Sequence, residues 1–367
     1  MSVAVQQRRP VKKPGWPLFA PVAALAILGA ALAMPDAAWL VAVAAVALVA
    51  AVTAAVHHAE VVAHRVGEPF GTLVLALAVT SIELSLVVSL MIAGGESKAT
   101  LPRDTVYATV MLICGGVLGL CVFVGALRHG EQSFRIEGAV PALAALTALS
   151  VLVLVMPNFT VSSPVATYAP SQLIFVGVFS LALWCVFVFF QTVRHRDFFL
   201  PVDARDDEAA HAVPPTTLEA WTSFAMLLVS LVGVVGLAKA LSPSIEAAVR
   251  AMGAPVAVVG IAIATLVLLP ETIAAVRAAL ANRLQTSLNL AIGSGLATIG
   301  LTVPAVVAVC IAFDLPLVLG LHPRDIVLLL LTLVLALFSV ISGRTNLMQG
   351  AVQLLLFAAF LFLSFVP

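Results

Sequence analysis

The feature that most constrains this chain is a succession of eleven apolar stretches, each close to the length of a membrane-spanning helix. A helix needs about 20 apolar residues to cross the hydrocarbon core of a bilayer. Together the stretches occupy most of the 367 residues and leave no room for a separate soluble domain. The sequence therefore predicts an all-α membrane protein with about eleven transmembrane helices, at residues 17–34, 37–56, 70–93, 105–127, 138–156, 171–192, 219–240, 255–276, 286–312, 325–342 and 347–365.

The composition excludes several classes of protein. Hydrophobic residues make up 62% of the chain and charged residues only 10%, whereas soluble domains carry about 25% charged residues. The formal net charge is zero, so there is no overall basic character that would suit a nucleic acid. The chain also lacks the glycine-rich fingerprints of nucleotide sites. We therefore expect a lipid bilayer as its surroundings, and no nucleic acid, nucleotide or cofactor.

The distribution of Lys and Arg predicts the orientation. With a cytoplasmic N-terminus and eleven helices, thirteen of the 18 basic residues fall on the cytoplasmic side. This asymmetry follows the positive-inside rule and places the C-terminus outside. Short loops and the lack of an organelle-targeting segment favour a bacterial plasma membrane. The sequence leaves the oligomeric state open. It also leaves open whether residues 1–34 are a tail with a retained helix or a secretory signal cleaved near Ala31 to Ala33.

Two acidic residues lie deep inside predicted helices. Glu83 lies in ALAVTSIELSLVVSL and Glu271 in IAIATLVLLPETIAAV. An ionised carboxylate at this depth costs several kcal/mol at least, and no Lys or Arg lies deep in any predicted helix to pair with either acid. Two such acids indicate a site that binds a cation or protons. The alternative is that both acids are protonated and only stabilise the packing of helices. Thr80, one turn before Glu83, is a further candidate ligand, and Pro270 would free a backbone carbonyl beside Glu271 that could also coordinate a cation.

The two acid-bearing helices begin alike, with Gly67-Glu68-Pro69 and Gly253-Ala254-Pro255, and lie five helices apart. A five-helix unit ends on the membrane side opposite to its start, so two tandem copies are inverted relative to each other. In transporters built this way the site lies where the repeats meet. We therefore divide the chain into an extra N-terminal helix with its tail at 1–34, a first repeat at 35–193, a polar cytoplasmic linker at 194–218 and a second repeat at 219–367.

Further polar residues are candidates for the ion path. In the ninth predicted helix Ser294, Thr298 and Thr302 share one face, with Asn289 near it. We expect some of these oxygens to face the path, although hydroxyls between helices also serve ordinary packing. His57, His58, Glu60 and His64 cluster at the inner end of the second helix. Since imidazoles titrate near neutral pH, Glu60 and His64 are a candidate proton entry, with an interfacial polar flank as the alternative.

Several stretches match a known family. They are GEPFGTLVLALAVTSIELSLVVSLM, LRHGEQSFRIEGA, MPNFT through QTVRHRDFF, LPETIAAVRAALANRLQTSLNLAIGSGLATIGLTVP and GRTNLMQGAVQLLLF. With them the chain resembles the Ca²⁺/H⁺ antiporter family of the cation/Ca²⁺ exchanger superfamily, most closely its bacterial ChaA-type branch. The resemblance implies an inverted pair of five-helix repeats with one acid in each repeat, at Glu83 and Glu271. It also implies further polar ligands at Asn289 and Ser294.

The resemblance implies Ca²⁺/H⁺ antiport as the function. We hypothesise that Glu83 and Glu271 face each other where the repeats meet and bind cation or protons in turn, with the second and seventh helices as candidates for the moving gate. Thr80 and Ser81 stand where exchangers with a GNAxE signature have Asn and Ala, so one amide ligand is missing from the first repeat. Exchange of Na⁺ or K⁺ for protons at the same site is the alternative. A remoter alternative is an intramembrane enzyme, but no nucleophile–His pair lies at membrane depth.

Overall fold

The computed structural model describes residues 15–34, 37–66, 70–200, 215–251, 253, 255 and 257–366. Eleven long helices follow one another in this part of the chain, which confirms the predicted all-α membrane architecture. Ten of them are long and apolar enough to cross a membrane, and the third contains a shorter apolar stretch at Leu77–Ile92. Nine are continuous α-helices: α1 (Trp16–Ala33), α2 (Ala38–Val66), α3 (Phe70–Gly94), α5 (Ile136–Leu154), α6 (Pro170–Phe189), α7 (Thr217–Ala251), α8 (Ala257–Leu280), α10 (Pro323–Ile341) and α11 (Leu347–Phe365).

The remaining two helices, α4 and α9, each contain a π-helical segment near the middle. In α4 this segment is Leu112–Val117, between Leu101–Met111 and Leu118–His129. In α9 it is Thr298–Thr302, between Leu284–Ala297 and Val303–Phe313. Each of these helices directly follows an acid-bearing helix, so the two irregular segments occupy matching places in the two halves. Such segments are often found at functional sites.

Two helices run further than the apolar pattern predicts. The α2 helix extends to Val66 instead of residue 56, and α7 extends to Ala251 instead of residue 240. The apolar pattern ends with the hydrocarbon layer, but backbone hydrogen bonding continues into polar residues. The four residues predicted at the end of the second helix therefore lie within α2: His57, His58, Glu60 and His64.

Some predictions fall on parts of the chain outside the described residues. These parts are the N-terminal tail through residue 14, Gly67-Glu68-Pro69 and Ala254 of the two matching helix starts, and residues 201–214 of the linker.

The helices divide between two apolar cores. One core joins α1, α2 and α7, and it also reaches Ile82 of α3 and Val267 of α8. The other core fills the space among α4, α5, α6, α9, α10 and α11, with residues of α3 and α8 at its border. Within the described residues, the main contacts of α1, α2 and α7 with the rest of the protein are made to α3 and α8. The predicted gate helices therefore pack on the two helices that carry the buried acids.

A two-stranded sheet joins two distant loops. Strand β1 (Gln132–Ser133) pairs antiparallel with β2 (Arg344–Thr345). These strands lie in GEQSFRIEGA and GRTNLMQGA, two similar stretches that lie six helices apart and do not fit the five-helix repeat. The Gln132 Nε2 atom also donates hydrogen bonds to the Ala279 carbonyl and to Asn282 Oδ1. The sheet thus fixes the turn that follows α8.

Candidate functional site

Glu83 of α3 lies among helices from both halves of the chain. The residue is only 2% exposed. Its Oε2 atom accepts a hydrogen bond of 2.7 Å from the Thr298 hydroxyl of α9, and its Oε1 accepts one of 3.4 Å from the Thr109 hydroxyl of α4. The carboxylate of the first half is therefore held by one hydroxyl from its own half and one from the other.

Glu271 of α8 is partly buried and is held in a related way. Its Oε2 atom accepts a hydrogen bond of 2.7 Å from the Ser294 hydroxyl of α9. The preceding residue, Pro270, lies inside α8. Because proline has no backbone N–H, it removes the helical hydrogen bond that the Leu266 carbonyl would otherwise accept. This leaves a carbonyl oxygen one turn from the carboxylate.

The two carboxylates are brought together by α9. Ser294 and Thr298, which hold Glu271 and Glu83 respectively, are four residues apart on that helix. Four residues correspond to about one turn, or about 6 Å along the helix axis. The two acids interact electrostatically with each other. The hydroxyls that hold the two carboxylates are therefore neighbours on one face of α9.

The chemistry of the site comes from carboxylate and hydroxyl oxygens. Within the described residues, no group of three or more His, Cys, Asp and Glu side chains could hold a metal ion. The hydroxyls of Thr109, Ser294 and Thr298 each donate to a carboxylate here, and a hydroxyl can instead turn its lone pairs towards a cation. Such oxygen ligands suit hard cations, and the carboxylates can alternatively take protons.

The other residues predicted as ligands lie in different places. Thr80 is buried one turn before Glu83 on α3. Asn289 does not join the two acids: its Nδ2 atom donates to the Phe199 carbonyl at 2.6 Å, and its Oδ1 accepts from Gln285 at 3.0 Å. Asn289 therefore holds the first part of the linker.

Sequence reasoning missed Thr109. It occupies the helix after the acid-bearing helix of the first half, as Ser294 does in the second half. A comparison of the equivalent helices in the two halves of the sequence could have identified Thr109.

The candidate proton entry lies on α2. Glu60 and His64 are both exposed, and Glu60 interacts electrostatically with His64 and with Arg277 of α8. The hydrogen bonds of the described residues do not connect either side chain to the two buried acids. Their neighbour His58 is buried, and its Nε2 atom lies 2.9 Å from the Pro17 carbonyl of α1.

Comparisons with known proteins agree with this architecture. The family described as sodium/calcium exchanger protein matches residues 36–193 and 222–366. The putative ionic transporter y4hA of Sinorhizobium fredii is 47% identical over 321 residues, which cover 87% of each chain. The sodium-potassium/proton antiporter ChaA of Escherichia coli is 35% identical over 354 residues, which cover 95% of each chain.

A solved structure shows the same fold. The selenium-substituted Ca²⁺/H⁺ antiporter protein YfkE superposes with a TM-score of 0.72 and 18% sequence identity, covering 96% of this chain and 99% of that one. These similarities confirm the resemblance predicted from the sequence. They also confirm the prediction that the protein is a transporter and not an enzyme. With the family match extending over both halves and a 35% identical relative covered almost completely, this chain belongs to the sodium/calcium exchanger protein family.

Proposed function

We propose that this protein exchanges cytosolic Ca²⁺ for protons by alternating access, with Glu83 and Glu271 binding the cation and protons in turn. The observation that carries the proposal is the placement of the two acids. They come from opposite halves of the chain, and both are hydrogen-bonded to hydroxyls one turn apart on α9. Sites at the junction of two repeats are typical of secondary transporters.

Charge balance supplies the coupling. Two ionised carboxylates carry two negative charges, which one Ca²⁺ or two protons neutralise. A carboxylate oxygen that has taken a proton is a poor ligand for a cation, so the two occupants exclude each other. The site has no net charge when it holds either one Ca²⁺ or two protons. This lowers the free-energy cost of moving the loaded site through the low-dielectric interior. The empty, charged site is the costly state, and this penalty suppresses leakage without exchange.

Na⁺ or K⁺ in exchange for protons is the second candidate. It is favoured by the 35% identical relative named as a sodium-potassium/proton antiporter. It is also favoured by the ligands identified here, which combine the two acids with hydroxyls and lack the amide that Asn289 was expected to supply. Ca²⁺ commonly takes about six to eight oxygen ligands, and the loss of an amide oxygen removes one ligand that would favour Ca²⁺ over Na⁺ or K⁺.

Proton flux in proteoliposomes tests the proposal. The purified protein is reconstituted with a pH-sensitive dye inside the vesicles, and Ca²⁺, Na⁺ and K⁺ are added separately over a series of pH values. We expect Ca²⁺ to drive proton movement, with a half-saturating concentration that rises as the pH falls because protons compete for the same carboxylates. A response to Na⁺ or K⁺ but not to Ca²⁺ would select the second candidate. No response to any of the three ions would refute cation/proton exchange.

Charge removal tests the two residues. Glu83→Gln and Glu271→Gln keep the size of each side chain but prevent ionisation, so we expect each variant to lose exchange while keeping its elution profile and melting temperature. The matched control is Glu131→Gln, because Glu131 is an exposed acid whose partner Arg344 lies 3.9 Å away on the paired loop. Full exchange by either of the first two variants would remove that residue from the site.

A further inference from the structure

The C-terminal half of α8, residues Glu271–Leu280, carries one of the two buried acids at its beginning. Pro270 lies inside α8 immediately before this half. A proline removes one backbone hydrogen bond and is the usual place for a helix to bend. The position of Glu271 therefore depends on what holds the C-terminal half of α8 in place.

Two side chains hold this half on the helix face that carries Glu271. The Ser287 hydroxyl of α9 donates to the Ala275 carbonyl at 2.7 Å, and the Nε2 atom of Gln132 in β1 donates to the Ala279 carbonyl at 3.1 Å. Ala275 and Ala279 follow Glu271 by four and eight residues, so the three residues lie along one face of α8. Both alanines are 0% exposed. The face that presents the acid is thus the face that is held.

Gln132 joins the ends of three helices that carry residues of the candidate site. Its side chain is buried, and its Oε1 atom packs against Gly125 of α4. Its Nε2 atom also donates to Asn282 Oδ1 at 2.9 Å, in the turn between α8 and α9. Nearby, His129 at the end of α4 donates from Nε2 to the Leu280 carbonyl at 2.9 Å, since a carbonyl oxygen can only accept. These bonds fix α4, α8 and α9 to one another beside β1.

Another side of the same half of α8 interacts with α2, a candidate gate helix. Arg277 of α8 interacts electrostatically with Glu60 of α2. If α2 moves, this attraction draws the C-terminal half of α8 with it, and Pro270 is the place where α8 would bend. Such a bend would separate Glu271 from the Ser294 hydroxyl, which now donates to it at 2.7 Å. The hydrogen bonds from β1, α4 and α9 oppose that separation.

We propose that Gln132 is a positioning residue for the exchange reaction: it fixes the C-terminal half of α8 so that Glu271 stays bonded to Ser294 while the gate moves. This inference rests on the proposed function. Ala279 lies about 12 Å along the helix axis from Glu271, so Gln132 acts through α8 and not on the cation itself. The inference also gives a role to the stretch GEQSFRIEGA, which the two acids alone do not explain.

The cation concentration that half-saturates exchange reports the position of Glu271. In proteoliposomes, with whichever cation drives wild-type proton flux, we expect Gln132→Leu to raise this concentration roughly tenfold. Asn282→Gly removes one acceptor but suits the positive φ of 61° at this position, and it should raise the concentration by a smaller factor. Asn282→Asp keeps the acceptor, and Asp tolerates such a φ, so this variant should have wild-type affinity.

A second buried glutamine supplies the matched control. Gln353 of α11 is 1% exposed, and its Nε2 atom donates to the Ser339 hydroxyl of α10 at 3.1 Å. Gln353→Leu removes a comparable buried hydrogen bond that does not involve α8. We therefore expect this variant to lose stability as Gln132→Leu does, measured as the melting temperature in detergent, but to keep the wild-type affinity for the cation.

A double-mutant cycle separates positioning from general damage to the fold. Ser294→Ala already removes the contact that Gln132 is proposed to maintain, so adding Gln132→Leu to it should change the half-saturating concentration by less than about twofold. Thr109 holds the other acid, Glu83. In a Thr109→Val background the full effect of Gln132→Leu, roughly tenfold, should therefore remain because independent contributions add.

Several outcomes would overturn the inference. Wild-type affinity in Gln132→Leu is one, and an equal effect of Gln132→Leu in the two backgrounds is another, since it would assign Gln132 to the stability of the fold alone. An equal loss of affinity in Gln353→Leu would have the same meaning. If Gln132→Leu does not fold, the same cycle is run with Asn282→Gly. A wild-type protein that responds to none of the cations would refute the proposed function together with this inference, an outcome distinct from the others.

Discussion

Thr298 is the residue that links the two halves most directly, because its hydroxyl on α9 holds the carboxylate of Glu83 on α3. We expect Thr298→Val, which keeps the shape of the side chain, to weaken cation binding. A hydrogen bond to a charged group contributes about 1.5–3 kcal/mol, which corresponds to roughly tenfold or more in affinity. The measurement is the half-saturating cation concentration for exchange in proteoliposomes.

The control for this change is Thr332→Val, since Thr332 is equally buried but donates to the Leu328 carbonyl of its own helix. The Thr332 variant should bind cation as the wild type does. If Thr298→Val has wild-type affinity, the hydroxyl stabilises neither the ionised carboxylate nor the bound cation.

The sequence predicts those parts of the candidate site that are polar or acidic side chains within an otherwise apolar helix. Glu83 and Glu271 are conspicuous for that reason, and Ser294 follows from its place on the ninth helix. Asn289 could not be placed in the same way. Five residues separate it from Ser294, which is about 140° around the helix, and only the folded structure shows that its neighbour on that side is Phe199.

At the scale of elements, the close approach of α8 to α4 positions Glu271. A Cβ atom added to Gly260 of α8 would lie 2.9 Å from the carbonyl carbon of Asp104 and 3.1 Å from the backbone nitrogen of Thr105. Because backbone atoms cannot move aside as a side chain can, we expect Gly260→Ala to push the two helices apart. Overpacking of this kind costs about 1–3 kcal/mol. The expected result is a lower melting temperature in detergent and slower exchange.

A glycine in an open position supplies the comparison. Gly29 of α1 has nothing within 4 Å of an added Cβ atom, so Gly29→Ala should melt at or slightly above the wild-type temperature, since alanine favours a helix. If Gly260→Ala is as stable and active as Gly29→Ala, the contact between α8 and α4 does not determine the position of the acid-bearing helix.

The irregular segments mark the limit of sequence reasoning at this scale. Apolar length predicts that a helix crosses the membrane, but it does not distinguish α-helical from π-helical turns. In α4 the segment Leu112–Val117 contains Gly115 and Gly116, against which Phe357 of α11 packs. In α9 Gly300 receives Trp184 of α6. These partners come from distant parts of the chain, so the local sequence alone does not predict them.

At the scale of the whole molecule, α1, α2 and α7 form one unit. They share an apolar core, His58 of α2 contacts the Pro17 carbonyl of α1, and Arg65 of α2 donates to the Thr217 hydroxyl at the start of α7 at 2.9 Å. Their principal contacts outside this unit are with α3 and α8. If α2 and α7 are the moving gate, α1 should therefore travel with them as a third member.

A disulfide within this unit tests that idea. A Cβ atom on Gly233 of α7 would lie 3.3 Å from the Cβ of Ala24 on α1, close to the separation in disulfides. We expect the double variant Ala24→Cys, Gly233→Cys to form the bond on oxidation and to transport at an unchanged rate, because the bond joins parts that move together. The exposed Cys185 is replaced by Ser in this background to avoid other cross-links. Transport that stops on oxidation and returns with a reductant would show that α1 and α7 must move apart, which would leave α2 and α7 alone as the gate.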